Sequence, residues 1–308
     1  MVVEMKKSDG MDRHLDTRSG RLTFPTYVPV TTFGKKYPLD ELIRPFLPRL
    51  ASAIMVSHHY AKQASGHPGM LTMVDSGGFA SLFDWAEVKE ENGLGTIVLK
   101  SLEGVEVLSP DSVLSFQEQW ADIAFTLDFP IPPSRAEDEG QKRQLLTIAN
   151  ALWALRNRRR RDLPLYACIQ GWDVASYLAC ADAYVDAGFD GVAIGGLVPR
   201  IKDKDLIEAV IEGVRKRFPD APLHVFGLGQ PHLVRRLYEL GVDSVDSSAY
   251  VKLAADGKSW DRKTLISDGE LSPLRRMHLA IANLATASQR ALPMGFAQIM
   301  YAPIKDPS

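Results

Sequence analysis

The sequence predicts an α/β protein built as a (β/α)8 TIM barrel, and three observations support that fold class. Eight short apolar or β-branched runs are bounded by turn residues, helical patterns lie between most of them, and polar residues follow the runs. Strands that alternate with helices form parallel units, and eight such units close a barrel. The predicted strands are residues 27–31, 52–57, 71–74, 122–127, 165–169, 191–194, 223–226 and 242–245.

Helical periodicity fills most of the segments between these strands. Ser109 and Pro110 are typical of a helix start, and Gly188 and Gly241 are typical of residues that follow a helix end. The predicted helices are residues 39–50, 110–120, 141–160, 174–187, 203–218 and 231–240, with a last helix over 272–292.

One segment interrupts the alternation of strands and helices. Residues 95–109 contain two short β-branched runs around the turn Leu102-Glu103-Gly104. This pattern predicts a β-hairpin inserted after the third barrel strand, where it would extend a loop on one rim.

Composition limits the class of protein. The chain has 308 residues, of which 45% are hydrophobic and 24% charged, and we predict one domain over residues 1–308. No apolar run approaches the roughly 18 to 20 residues that span a bilayer, and the first residues are charged where a signal peptide would be apolar. We therefore expect a cytoplasmic protein without membrane contact. The net charge of −2 gives no general attraction for nucleic acid.

The cysteine and histidine content argues against a metal centre. The two cysteines, Cys168 and Cys180, exclude a disulfide framework and any zinc site that needs three or four cysteines. The seven histidines show no metal-binding spacing beside carboxylates. We expect no metal, no cofactor and no zinc subdomain.

The residues that follow the predicted strands are unusually polar. Functional side chains of a (β/α)8 barrel project from the C-terminal ends of its strands, so these residues would line one mouth. They are Asp75, Ser76 and Phe79 after strand three, Asp128 after strand four, Gln170 and Gly171 after strand five, Gly195 and Gly196 after strand six, Gly229 after strand seven, and Asp246 after strand eight.

This residue set suits a purine and its sugar. Carboxylates accept hydrogen bonds from the ring N–H and amino groups that guanine presents, and glycines let a flat ligand approach the backbone. A carboxylate can also attack an anomeric carbon while a second carboxyl acts as acid or base. Local structural roles compete with these readings, because Asp75 could cap a helix and Gln170 could serve only a loop.

Several blocks resemble the tRNA-guanine transglycosylase family. The strand end Val74-Asp-Ser-Gly-Gly-Phe79 is similar to the signature of that family. Further blocks that resemble the family in the same order along the chain are residues 19–30, 104–113, 121–128, 169–171, 189–197, 227–229 and 241–246. The resemblance implies that Asp246 attacks C1′, that Asp75 is the general acid/base, and that Asp128 and Gln170 read the purine edge. It also implies that Gly195, Gly196 and Leu197 pack near the base.

The sequence departs from the family pattern in three places. The C-terminal zinc motif of three cysteines and a histidine is absent, and the segment 247–252 after the expected nucleophile has Lys252 as its one basic residue. Trp172 stands where the family usually has a second glycine, and it is a candidate for stacking on a base.

The resemblance implies exchange of guanine in a nucleic acid for a 7-deazaguanine base, and these departures lead us to favour DNA over tRNA as the substrate. A tRNA-guanine transglycosylase proper, a catalytically silent subunit that binds nucleic acid or a partner, and a barrel glycosidase or nucleoside hydrolase are the alternatives. A homodimer or a partner protein is compatible with the sequence.

Overall fold

The computed structural model describes residues 13–32, 38–61, 67–101, 104–260 and 272–290. The strands in these ranges are β1 (His14–Thr17), β2 (Gly20–Thr23), β3 (Thr26–Thr31), β4 (Ala53–Val56), β5 (Leu71–Val74), β6 (Ala86–Glu91), β7 (Leu94–Ser101), β8 (Gly104–Leu108), β9 (Ile123–Phe125), β10 (Leu165–Ile169), β11 (Gly191–Ile194), β12 (Leu223–Val225) and β13 (Ser244–Ser247). The α-helices are α1 (Pro38–Ile43), α2 (Leu47–Leu50), α3 (His58–Ala61), α4 (Pro110–Trp120), α5 (Glu137–Asn157), α6 (Val174–Asp182), α7 (Lys204–Arg217), α8 (Pro231–Glu239), α9 (Ala249–Ala255) and α10 (Pro273–Ala287).

Eight parallel strands close a barrel, which confirms the predicted fold class. The order around the barrel is β3, β4, β5, β9, β10, β11, β12 and β13, and β13 pairs back with β3. The predicted bounds of the third, fifth and sixth strands coincide with β5, β10 and β11. The last barrel strand begins two residues later than predicted and extends to Ser247, so Asp246 lies within it.

Alternation along the strands separates an inner from an outer apolar layer. One cluster of buried residues takes every second strand position and fills the barrel, with Met55, Met73, Phe125 and Cys168 among its members. The intervening strand residues join a larger cluster that packs against the surrounding helices. Asp75 and Gln170 continue the inward alternation of their strands, and this directs both side chains toward the barrel axis at its C-terminal mouth.

A hairpin formed by β1 and β2 covers the opposite end of the barrel. Leu15, Leu22 and Phe24 are buried in the same cluster as the barrel interior. This hairpin was not predicted from the sequence, because each of its two short strands contributes one buried apolar residue.

The insertion after β5 is larger than the predicted hairpin. Strands β7 and β8 occupy the predicted segment, and β6 adds a third antiparallel strand. The predicted turn residues Leu102 and Glu103 lie outside the described residues.

The helices differ from prediction mainly at their ends. The predicted helix 39–50 is divided into α1, a 3-10 turn over Arg44–Phe46, and α2, because Pro45 and Pro48 lack the N–H that a continuous helix needs. Helix α5 begins four residues earlier than predicted, α6 ends at Asp182, and α10 ends at Ala287. Residues 291–292 of the predicted last helix lie outside the described ranges, and α3 and α9 were not predicted.

Both cysteines are buried and free. Within the described ranges, no cluster of three or more histidine, cysteine, aspartate and glutamate side chains is arranged to bind a metal ion. None of the helices described has the length and apolar character needed to cross a membrane.

Candidate active site at the C-terminal mouth of the barrel

Asp246 lies in β13 beside Val28 of β3, with its side chain pointing to the mouth and 7% of the residue exposed. Its Oδ1 accepts a hydrogen bond from the backbone N–H of Gly227 at 3.1 Å and lies 3.1 Å from Nε2 of His224. Gly227 has a φ of 77°, a conformation that favours glycine. The described residues donate no hydrogen bond to Oδ2, so Oδ2 is the oxygen available to a ligand.

His224 supports Asp246 from inside the barrel. It is completely buried, and its Nδ1 lies 2.8 Å from the Ser244 hydroxyl. An imidazole that donates to the Asp246 carboxylate carries a proton on Nε2, and in that neutral tautomer Nδ1 accepts from the Ser244 hydroxyl. Sequence reasoning missed His224, although its position two residues before the Phe226-Gly227 strand end placed it in the inward alternation.

Asp75 follows β5 and binds two backbone N–H groups. Its Oδ1 accepts from His58 at 3.0 Å and from Gly77 at 2.9 Å. Burial, and to a smaller degree the negative charge of Asp246, raises the pKa of Asp75 to about 6, against the opposing hydrogen bonds. A carboxyl group with this pKa can both release and take up a proton near neutral pH.

Asp75 does not cap the helix that follows it, because the 3-10 helix Gly78–Leu82 has no side-chain cap. It accepts instead the N–H of His58, the first residue of the short helix α3.

Asp128 forms one wall of the mouth together with two neutral donors. The Ser76 hydroxyl donates to its Oδ1 and the Gln170 amide donates to its Oδ2, each at 2.6 Å. Burial raises the pKa of Asp128 above its ordinary value despite these two bonds. The Gln170 Oε1 atom is buried and accepts no hydrogen bond from the described residues. This wall therefore presents an acceptor that lacks a donor.

Glycines at the mouth allow these side chains to approach each other. A Cβ at Gly195 would lie 2.2 Å from Gln170 Nε2, and one at Gly78 would lie 2.5 Å from Asp128 Oδ1. Gly196, with a φ of 73°, also borders Gln170. At Gly229 a Cβ would lie 2.2 Å from the Cβ of Ser247. These positions cannot carry a side chain without displacing the groups around the mouth.

The remaining predicted substrate residues differ in exposure. Phe79 is 67% exposed on the 3-10 helix beside the mouth, with its ring edge-on to Phe83 at 6.0 Å. The Leu197 side chain is fully buried in the outer apolar layer. A Cβ at Gly171 would lie 2.6 Å from the backbone nitrogen of Tyr177, so this glycine is needed for the packing of β10 against α6.

Comparison with known proteins identifies the family of the chain. The family model described as queuine tRNA-ribosyltransferase matches residues 14–288. The chain belongs to this family. The match confirms the resemblance to tRNA-guanine transglycosylases that the strand-end motifs indicated.

Relatives in three organisms share 26 to 31% of the aligned residues. The tRNA-guanine(15) transglycosylases of Methanothermobacter thermautotrophicus and Methanocaldococcus jannaschii are each 26% identical, over 83% and 89% of this chain. That of Methanosarcina mazei is 31% identical over 53% of this chain. The alignments cover 38%, 42% and 34% of the respective relatives. The chain thus spans about two fifths of the length of the first two relatives.

Residues 156–161 form an arginine-rich run, which lies at the barrel end opposite the mouth. Arg158 pairs with Asp190, and Arg160 pairs with Asp162 at 2.8 Å and donates to the Glu118 carbonyl at 2.7 Å. These contacts fix the chain that leads into β10.

Proposed function

We propose that the chain exchanges guanine in a nucleic acid for a 7-deazaguanine base through a covalent link between Asp246 and the sugar. The observation that carries the proposal is the convergence of Asp246, Asp75 and Asp128 from three strands on one mouth, with Asp75 and Asp246 close enough for their charges to interact. The family match and the names of the relatives support transfer of a guanine-type base.

The geometry supports a two-step exchange. Asp246 Oδ2 attacks C1′ of the target guanosine, and the bond from C1′ to the guanine nitrogen breaks with its electron pair on the base. Asp75 in its protonated form supplies the proton that the departing guanine takes up. The incoming base then gives a proton to Asp75 and attacks C1′, and the bond to Asp246 breaks.

Base recognition is assigned to Asp128 and Gln170. The ring N–H and amino groups of guanine match acceptors on one wall of the mouth, and 7-deazaguanine bases share that edge. The buried Gln170 Oε1 atom, to which no described residue donates, would accept a hydrogen bond from the guanine edge. The neighbouring glycines, Gly195 and Gly196, leave room for a flat ring.

The nucleic acid has two candidate forms. The relatives are named for action on tRNA, which supports tRNA as the substrate. DNA is a second candidate, because the segment after Asp246 departs from the family pattern. Its one basic side chain is Lys252, and Tyr250 is buried with its hydroxyl donating to the Val30 carbonyl at 3.2 Å, so this segment offers little charge for an RNA loop.

Incorporation of labelled guanine tests the proposal. Purified protein is incubated with labelled guanine and, separately, with tRNA, duplex DNA and single-stranded DNA. We expect label in one nucleic acid, and we expect Asp246→Ala and Asp246→Asn to reduce incorporation by on the order of 10⁴-fold. Asp256→Ala, at the exposed aspartate that follows α9, is the matched control and should retain incorporation.

Two results would contradict the proposal. An active Asp246→Ala protein would exclude Asp246 as the nucleophile, and an abasic product without label would indicate a hydrolase instead of a transferase. Denaturing electrophoresis supplies an independent measurement, because a covalent complex with the nucleic acid should form with the wild type and not with Asp246→Asn.

A further inference from the structure

A cleft of about 480 Å³ lies beside the mouth and contributes no side chain to the reaction described above. The loops after β9, β10 and β11 form its walls, together with the first residues of α5 and α7. Its volume is in the range of small-ligand sites. Ile131, Pro132, Trp172, Pro199 and Arg200 are among the residues that line it.

Arg200 supplies a buried positive charge to this cleft. The residue is 8% exposed, and its Nη1 donates to the carbonyl oxygens of Ile131 at 2.9 Å and Gly196 at 2.8 Å. No carboxylate of the described residues lies within ion-pair distance, and neither Nε nor Nη2 donates to a described residue. A buried guanidinium that keeps donors available without a counter-ion favours an anionic ligand such as phosphate.

Two exposed cations face the same cleft. Arg135 and Lys202 line it, and neither forms an ion pair with a described residue. Glu137 and Asp203 also line it, but Asp203 caps α7 by accepting the Leu206 N–H at 3.1 Å. Three cations and two carboxylates leave the cleft with net positive charge.

Trp172 gives the cleft a flat apolar wall. Its indole lies against α5, where a Cβ at Gly140 would be 3.3 Å from Trp172 Cε3 and 3.3 Å from Ile131 Cγ2. Glycine in a helix interior lowers helix stability, and at Gly140 it allows the indole to pack directly against the helix backbone. The half-buried ring borders the cleft, and an indole beside cations is the combination that binds a base together with its phosphate.

We propose that the cleft binds one nucleotide of the substrate strand near the exchanged guanosine. Its phosphate contacts Arg200, Lys202 and Arg135, and its base stacks on Trp172. This inference rests on the proposed function, because it requires a nucleic acid at the mouth. Arg200 connects the two sites directly, since it holds the carbonyl of Gly196 beside the purine wall.

Binding measurements with variants of Trp172, Arg135 and Lys202 test the cleft without replacing the buried Arg200. Fluorescence anisotropy gives the Kd of wild type, Trp172→Ala, Arg135→Glu and Lys202→Glu for labelled tRNA and labelled single-stranded DNA over a salt series. The matched control is Arg161→Glu, an exposed arginine at the opposite end of the barrel. We expect Trp172→Ala to raise the Kd on the order of tenfold. Each charge reversal should lower the slope of log K against log salt by about one.

Steady-state exchange gives the second measurement. The KM for nucleic acid should rise in the cleft variants, whereas the KM for free guanine and kcat should match those of Arg161→Glu. Variants that bind like this control, or a wild type that binds neither nucleic acid, would overturn the cleft proposal. If the wild type exchanges guanine and the cleft variants bind nucleic acid like the control, the cleft proposal is wrong and the proposed function is unaffected. Weakened binding in the variants of a protein that shows no exchange would support the cleft and contradict the proposed function.

Discussion

The barrel carries three conspicuous aspartates at each end, and their partners differ. At the closed end, Asp122, Asp190 and Asp243 each stand directly before a barrel strand and accept the backbone N–H of a neighbouring strand. Each is also paired with arginine: Asp122 with Arg18 at 3.1 Å, Asp190 with Arg158, and Asp243 with Arg13 at 2.8 Å and Arg215 at 2.7 Å.

At the mouth, Asp75, Asp128 and Asp246 have no arginine or lysine partner among the described residues. Their hydrogen bonds come from backbone N–H groups, the Ser76 hydroxyl, the Gln170 amide and the His224 imidazole. Burial raises the pKa of Asp243 even with two arginines beside it, which shows how unfavourable an unpaired buried carboxylate is. Retaining three such groups at one end is expected where their charge serves a ligand or a reaction.

The largest expected effect concerns His224, the imidazole partner of Asp246. His224→Phe removes the donor at Oδ1 and keeps a ring in the core, so we expect kcat for guanine exchange to fall about 10- to 100-fold with the KM for guanine unchanged. His224→Gln retains a donor and should recover part of the rate. Steady-state kinetics with melting curves checks both variants, and a fully active His224→Phe protein would show that the contact has no catalytic role.

An intermediate effect is expected at the closed end, on stability and not on rate. Asp243→Ala removes the acceptor of the buried Leu223 N–H and of the Arg215 and Arg13 guanidinium groups, so the free energy of unfolding should fall by about 2 kcal/mol. Urea denaturation measures the change, with Asp256→Ala as an exposed control expected to differ by less than about 0.5 kcal/mol. If exchange per folded molecule fell with Asp243→Ala, the division between the two ends would be wrong.

The smallest effect distinguishes Asp75 by its pH dependence. Its folded pKa of about 6 lies above the ordinary value of 3.8, so its ionisation lowers the stability of the folded state above pH 6, and this penalty disappears as pH falls toward 4. Asp75→Asn should therefore be more stable than wild type by about 1 kcal/mol at pH 8, a figure reduced for partial solvent access. The gain should vanish at pH 4. Unfolding titrations at both pH values check this, and an equal gain at each would contradict the raised pKa.

The sequence indicated the mouth residues more clearly than their supports. Asp75, Asp128, Gln170 and Asp246 follow or end predicted strands, and barrel geometry alone brings such positions together. His224 was not predicted, because it lies between Leu223 and Val225 within a strand. The sequence of this strand alone does not show which of its two faces lies inside the barrel.

The same limit explains the missed elements. Strand β6 carries Glu87 and Lys89 on its solvent face, and the β1–β2 hairpin has only Leu15 and Leu22 to indicate burial. A single apolar residue per strand is too weak a signal to separate a hairpin from a polar loop. Their burial depends on contacts with strands that lie far away in the sequence.

That β1–β2 hairpin also sets the order of events in the proposed exchange. Because Leu15, Leu22 and Phe24 plug the far end of the barrel, the departing guanine and the incoming base share the mouth as their route and their resting place. The departing guanine must then leave the mouth before the incoming 7-deazaguanine base can enter it. The sugar stays attached to Asp246 during this interval. Free guanine in excess therefore competes with the incoming base for the same position.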